Sequence, residues 1–257
     1  MKMLLLVFVL LCSFSFAQSS NLHLGDSYYA LRAENSKDNM ASDKNIRMAI
    51  KYYSLALKDS SVKEEAAWKL LRAYYFLGCF TMPDAKDREN LFANARREGK
   101  SLFTEFPENL EIAYWYSVNL ALWAREVNPL TALNSGSVGE TREIALKLMA
   151  MEKNGDSISA ARGCQILGKA HQKIPRIAFI LNWVKKDSAE YYYKKSLNLN
   201  PKDLATRFFL AEYYKETNKK REMENLLLPV VKTRPRYEEY LEDERNFIKM
   251  RKLLSEP

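Results

Sequence analysis

The residues of this sequence best suited to catalysis or metal binding are two histidines and two groups of adjacent carboxylates. His23 and His171 stand far apart, and neither a Cys-x-x-Cys pair nor a His-Glu-x-x-His pattern accompanies them. A zinc site takes three or four such ligands, so the sequence does not support a zinc site. The carboxylates of Glu238-Glu239 and Glu242-Asp243-Glu244 fall in a charged helical stretch, where successive side chains splay apart. We therefore expect their charge to serve solubility.

One short segment has the composition of a phosphate-binding loop. Gly99-Lys100-Ser101 matches the end of the Gly-x-x-x-x-Gly-Lys-Ser pattern, but Asn94 stands where the first glycine is required, and the segment lies inside a predicted helix. We interpret the match as accidental. Because a nucleophile with its base, a set of metal ligands and a phosphate cradle are all missing from the pattern, the sequence predicts a non-catalytic protein with no cofactor and no metal.

The N-terminus has the pattern of a Sec signal peptide over residues 1–17. Lys2 precedes an apolar stretch from Leu4 to Leu11, and a small-x-small ending closes at Ala17. Cleavage there leaves a mature domain of residues 18–257 and predicts a periplasmic or secreted protein. Lipoprotein anchoring through Cys12 is the disfavoured alternative, because such signals carry a small residue where this chain has Leu11. The apolar stretch is too short to span a membrane, and the sequence contains no second candidate span.

The chain is basic, with a formal net charge of +8 and a sequence pI near 9.2. Its lysines and arginines occur in short groups, such as Lys185-Lys186 and Lys219-Lys220-Arg221, at predicted helix ends and turns where water solvates them. This distribution and the export signal argue against nucleic acid as a partner. An acidic partner or ligand remains open.

A 34-residue repeat organises the C-terminal half of the chain, since Pro201 and Pro235 stand that far apart. Matching residues precede the two prolines at equal offsets: Ala189, Tyr193 and Ser196, then Met223, Leu227 and Val230. Further upstream, a second set recurs at fixed spacing: Cys164, Leu167-Gly168 and His171, then Arg207, Leu210-Ala211 and Tyr214. The set before each proline is typical of the second helix of a tetratricopeptide repeat (TPR) unit, and the upstream set is typical of its first helix. In such a unit the small residue lets the paired helix approach, and proline ends the unit.

Earlier units are less regular, and in the one that begins at Trp68, Arg72 replaces the expected small residue. Together the units predict an all-α, right-handed TPR-like solenoid of about five helical hairpins, closed by a capping helix over about residues 236–254. Cys164 is expected to be a small core residue.

Long links are predicted inside the first four hairpins, at Asn35–Lys44, Leu77–Asn90, Glu126–Glu140 and Lys173–Lys186. They either line one rim beside a concave groove or are tolerated surface insertions.

From about Ala113 to Pro235 the sequence resembles two TPR groups beyond the generic repeat. The residues that carry the resemblance are Ala113-Tyr114-Trp115-Tyr116-Ser117-Val118-Asn119-Leu120, Leu167 to Pro175, and Asp187-Ser188-Ala189 with the helix that follows. The two groups are the TPR-containing periplasmic component associated with TRAP (tripartite ATP-independent periplasmic) transporters and the regulator of microtubule dynamics family. The resemblance implies a periplasmic accessory that works with a solute-binding protein or holds a small molecule.

Candidate contacts for a partner or ligand are positions expected to be exposed on the first helices, together with residues of the apolar insertion from Ile174 to Val184. They are Trp115, Trp123, Arg162, Lys169, His171, Phe179, Trp183 and Phe208. Core packing is the alternative for both tryptophans of the first helices, and a packed repeat residue is the alternative for His171. The insertion either closes a pocket for a small apolar or amphiphilic ligand, docks a protein, or forms a short buried helix. Two functions follow: a scaffold that binds another envelope protein, and a ligand-holding accessory of a transport system.

Overall fold

The computed structural model describes residues 20–175 and 181–256. Contacts divide the chain into two compact units, Met1–Ser135 (unit 1) and Gly136–Pro257 (unit 2). The predicted signal peptide at 1–17, with Cys12, and the candidate contact Phe179 lie outside the described residues. A single domain over residues 18–257 stays a prediction.

The described residues form helices and no β-strand. Unit 1 contains α1 (20–30), α2 (Asp43–Ala56), α3 (Lys63–Phe80), α4 (Ala85–Glu105), α5 (Leu110–Glu126) and the short α6 (Pro129–Asn134). Unit 2 contains α7 (Ser137–Ala150), α8 (Ser157–Lys173), α9 (Ser188–Leu199), α10 (Leu204–Glu216), α11 (Lys220–Leu227) and α12 (Tyr240–Ser255), with 3-10 turns at Met151–Asn154 and Tyr237–Glu239.

Acidic and amide side chains set where several helices begin. Asp84 accepts the backbone N–H groups of Lys86 and Asp87 at 2.8 and 3.1 Å, and Asn109 accepts that of Ile112 at 2.9 Å. Asp156 and Asp203 cap α8 and α10 in the same way. These contacts satisfy N–H groups that have no partner inside the helix.

Unit 1 is held together by close helix approaches at small residues. A Cβ atom on Gly25 of α1 would lie 2.5 Å from the ring of Tyr53 on α2, and one on Gly99 of α4 would lie 2.6 Å from the ring of Tyr116 on α5. Both tyrosine rings are fully buried. Glycine is therefore required at these contacts, because any side chain would push the helices apart.

Unit 2 uses the same device in α8. A Cβ atom on Gly168 would lie 2.6 Å from the buried ring of Tyr193 on α9, which confirms the predicted role of this small residue. Cys164 is also buried, as predicted, and burial raises the pKa of its thiol to about 11. Phe247 and Met250 of α12 join the core of this unit, and α12 therefore matches the predicted capping helix.

One predicted link is wrong. The segment Leu77–Asn90 is not a long loop, because α3 continues to Phe80, α4 starts at Ala85, and only residues 81–84 connect them. Gly78, which falls inside the predicted link, lies within α3 and packs against the Phe92 ring. As predicted, α8 ends at Lys173 and α9 begins at Ser188, whereas the link after α5 contains α6.

Candidate functional site

The first helices α3 and α5 of unit 1 bring several partly buried aromatic rings together. The Trp115 ring lies 5.5 Å from the Tyr75 ring across the two helices and 5.0 Å from the Tyr114 ring beside it. Trp115 is partly buried, and its Nε1–H donates no hydrogen bond within the described residues. The structure thus combines both alternatives for Trp115, since one part of its ring packs and another part is exposed.

Arg72 extends this group along α3. Its guanidinium carbon lies 4.1 Å from the centre of the Tyr29 ring of α1 and 4.9 Å from that of Trp68. The arginine that breaks the repeat pattern therefore stacks on aromatic rings. We call Trp68, Arg72, Tyr75, Tyr114 and Trp115 the α3–α5 surface.

Asn119 joins the two helices beneath this surface. Its Nδ2 donates to the carbonyl oxygens of Leu71 and Trp115, each at 2.8 Å, while its Oδ1 is buried without a donor within the described residues. Buried side-chain polar atoms are seldom left unpaired. Asn119, Arg72 and Trp115 each carry one such atom, so the α3–α5 contact is unusually rich in unpaired polar groups.

Trp123 belongs to the packed interior of unit 1. It is 7% exposed, and the guanidinium of Arg96 covers its ring at 4.1 Å. This geometry favours the core-packing alternative for Trp123 over direct contact with a partner.

In unit 2 the first helices α8 and α10 are joined by ion pairs. Lys169 pairs with Glu212 at 3.1 Å, and its Nζ lies 3.9 Å above the Phe209 ring. Burial lowers the pKa of Lys169, and Glu212 opposes that shift. Lys173 pairs with Glu216 one turn further along. Arg162 and Lys169, the two candidate contacts on this part of α8, are both partly buried, and Lys169 is already paired with Glu212.

The expectation that Phe208 is exposed on the first-helix face is wrong. Phe208 is 8% exposed and belongs to the hydrophobic core with Phe247 and Met250. The reason is that α12 packs on α10, and Lys249 of α12 reaches over the Phe208 ring at 5.3 Å. The capping helix therefore covers the residue that a bare hairpin would present to solvent.

His171 anchors the insertion between α8 and α9. Its Nδ1 accepts the backbone N–H of Lys185 at 3.0 Å, and its ring stacks on Tyr192 at 5.1 Å. Burial lowers the pKa of His171, and the charges of Arg142 and Lys185 lower it further. His171 is therefore a neutral, packed repeat residue with a specific acceptor role.

Trp183 closes the other side of this cluster. Its ring meets the His171 ring edge-on at 5.4 Å, and the guanidinium of Arg142 lies 5.1 Å from its centre. Leu181 and Val184 are buried. Residues 181–187 form bends and turns, whereas residues 176–180 of the insertion lie outside the described residues, so its three alternatives stay predictions.

No other feature of the described residues adds chemistry to these sites. An open cleft of about 440 Å³ lies between α9, α10 and α11, but none of the sequence candidates lines it. Arg207, at its edge, is engaged by the carbonyl oxygens of Pro201 and Leu226. Residues 20–175 and 181–256 contain no cluster of metal-ligating side chains, and none of their helices is long and apolar enough to cross a membrane.

Sequence reasoning missed Tyr29 and Asn119 as residues that support the α3–α5 surface. The repeat spacing that starts at Leu24-Gly25 singles out Tyr28 rather than Tyr29, just as Leu167-Gly168 singles out His171. Asn119 belongs to the stretch that carries the family resemblance, but nothing in the sequence indicates its contact with the carbonyl of Leu71, which only the fold creates.

Comparison with known proteins identifies the fold. No protein-family model and no curated protein matches this chain. The crystal structure of a thermophilic TPR protein from Thermus thermophilus is similar over 92% of this chain and 98% of that chain, with a TM-score of 0.62 and 19% sequence identity. At that identity the similarity shows the fold alone. It confirms the predicted all-α, TPR-like solenoid fold.

Proposed function

We propose that this chain is a non-catalytic scaffold of the bacterial envelope, exported through the Sec pathway, and that it binds a protein partner on the α3–α5 surface. The observation that carries the proposal is the partly exposed group of Tyr75, Tyr114 and Trp115 beside a stacked arginine. TPR-like folds suit protein–protein interaction, and the export signal at residues 1–17 supports the location.

Composition and rigidity support this surface. Tryptophan, tyrosine and arginine are the residues that most often dominate the binding energy of protein interfaces. Here Asn119 ties α5 to α3, and the rings contact one another, so their positions are fixed before a partner arrives. A preorganised surface loses little conformational entropy on binding.

Photocross-linking in living cells of the host organism tests the surface. A photoreactive phenylalanine analogue at Tyr114 is expected to capture one discrete protein, and the same analogue at Tyr191, exposed on α9, serves as the matched control. The substitution Trp115→Leu keeps an apolar contact with Tyr75 and should abolish the capture. Identical products from positions 114 and 191, or none from either, would contradict the proposal.

Export has its own test. The protein recovered from the periplasmic fraction should begin at Gln18, as determined by N-terminal sequencing. A protein that begins at Met1 and stays in the cytoplasmic fraction would refute this part of the proposal and leave the binding surface unaffected.

A ligand-holding accessory of a TRAP transporter is the second candidate. It is favoured by the aromatic cluster that Trp183 of the insertion forms with His171 and Tyr192, and by the resemblance described above. Native mass spectrometry of the protein purified from its own host should then show a bound small molecule that Trp183→Asp releases. A ligand-free protein would exclude this candidate.

A further inference from the structure

Arg72 lacks a hydrogen-bonded or ion-paired partner in the part of the chain that the structure describes. Its guanidinium forms no hydrogen bond and no ion pair with any described residue, and its Nε is buried. The side chain is partly buried, and its nearest partners are the rings of Tyr29 and Trp68. Stacking on a ring is favourable, but it leaves the N–H donors of a guanidinium unsatisfied.

The carboxylates near Arg72 are committed to other groups. Lys69, one turn earlier on the chain, pairs with Asp26 at 2.7 Å and with Glu65 at 2.6 Å, and Tyr53 also donates to Asp26 at 2.9 Å. Neither carboxylate therefore serves as the acceptor for the N–H groups of Arg72. Buried N–H donors in proteins are normally hydrogen-bonded, so the buried Nε of Arg72 calls for an acceptor from outside the described residues.

Arg96 shows what a stacked arginine with a purely structural role looks like in the same unit. Its guanidinium covers Trp123 at 4.1 Å, as close as Arg72 comes to Tyr29, but its Nη2 also donates to the carbonyl oxygen of Ser135 at 3.4 Å. Both arginines therefore stack on a ring, but only Arg96 also donates a hydrogen bond within the protein.

We infer that Arg72 receives a carboxylate of the partner protein, and that the partner binds through an acidic segment. This inference rests on the proposed function and specifies the chemistry of the partner. The rings of Tyr29 and Trp68 hold the guanidinium plane, which suits the bidentate geometry of an arginine–carboxylate pair. The neighbouring rings Tyr75 and Trp115 offer contact to apolar groups that flank the acid.

The first experiment uses the cross-link at position 114. Arg72→Gln, which removes the charge and keeps most of the side chain, should reduce capture of the partner about 10-fold or more, as for an arginine at the centre of an interface. Arg96→Gln is the matched control and should leave capture within about twofold of the wild type, as for residues outside such a centre. Equal capture by both variants would overturn the inference about Arg72 but leave the proposed function intact, whereas absence of any wild-type cross-link would refute the function itself.

The second experiment needs no partner. In NMR spectra of the arginine Nε–H groups, the Arg72 signal, assigned by its loss in Arg72→Gln, should move when sodium acetate is added and stay when sodium chloride replaces it at equal ionic strength. The Arg96 signal should not move. Equal responses to acetate and chloride would overturn the inference. A third titration with sodium phosphate separates the remaining case: a response to phosphate but not to acetate would also overturn it and would indicate a phosphorylated partner.

Discussion

Gly163 is the position in unit 2 where a single methyl group should do most damage. A Cβ atom there would lie 2.5 Å from the carbonyl oxygen of Ala145, 2.5 Å from the backbone nitrogen of Met149 and 3.0 Å from its Cα. These are backbone atoms of α7, so no side-chain rotation can relieve the contact. Gly163→Ala must therefore separate α7 from α8.

The size of the effect follows from two opposing terms. Forcing an extra methyl group into a packed interior costs about 1–3 kcal/mol, and a contact with backbone belongs at the upper end of that range. Alanine regains about 1 kcal/mol of helix propensity over glycine. We therefore expect Gly163→Ala to lower the free energy of unfolding by about 2 kcal/mol.

Gly139 in α7 provides the matched control, because no atom lies within 4 Å of a Cβ placed there. Gly139→Ala should raise the free energy of unfolding by about 0.5–1 kcal/mol through helix propensity alone. Urea unfolding followed by far-ultraviolet circular dichroism measures both variants. If Gly163→Ala proves as stable as the wild type, the close approach of α8 to α7 is not a packing constraint and the reasoning fails.

Two further substitutions test polar contacts of unit 2. Because the folded-state pKa of His171 is lowered, its neutral form stabilises the fold above the unfolded value near pH 6.5, and this stability is lost as the pH falls toward the folded value. His171→Phe, which cannot accept the Lys185 N–H, should thus be less stable than the wild type by about 1 kcal/mol at pH 8. Urea unfolding should show that this difference in stability narrows toward pH 5. A constant gap would contradict the role of the acceptor. Asp243→Ala should lower the free energy of unfolding by about 2 kcal/mol, because the buried carboxylate accepts three N–H groups of Arg236. Glu239→Ala is the control, since it removes an exposed ion pair with the same arginine and should lower that free energy by under about 0.5 kcal/mol. Thermal unfolding measures both variants. Equal losses of stability in the two variants would show that burial of the Arg236–Asp243 pair does not strengthen it.

The hairpins could be predicted from sequence because a small residue and a ring at fixed spacing have one geometric meaning. Gly168 meets the ring of Tyr193 as the spacing required. Gly78 falls instead in a predicted link, since a glycine in sequence is as compatible with a turn as with a close contact. Only the position of Phe92 decides between the two meanings, and that position depends on the fold.

The candidate contacts were harder to place, because exposure depends on which helix comes to rest on which. Phe208 has the spacing of an exposed first-helix residue, but α12 covers it from more than thirty positions further along the chain. Trp115 has the same spacing and is only partly covered. Periodicity within one helix identifies a face, and it carries no information about the neighbour that buries that face.

Departures from the repeat pattern are the places where this chain reveals chemistry of its own. His171 takes the position that Tyr214 holds in the next unit, and its departure from tyrosine is accounted for inside the protein, since its Nδ1 accepts the Lys185 N–H and its ring stacks on Tyr192. At Arg72 the departure remains unaccounted for, because a charged side chain replaces a small one and finds no anion among residues 20–175 and 181–256. Stacking on Tyr29 and Trp68 stabilises the guanidinium but leaves its N–H donors without an acceptor, and the proposed partner carboxylate would supply that acceptor. The search for a partner therefore begins at Arg72 rather than at His171.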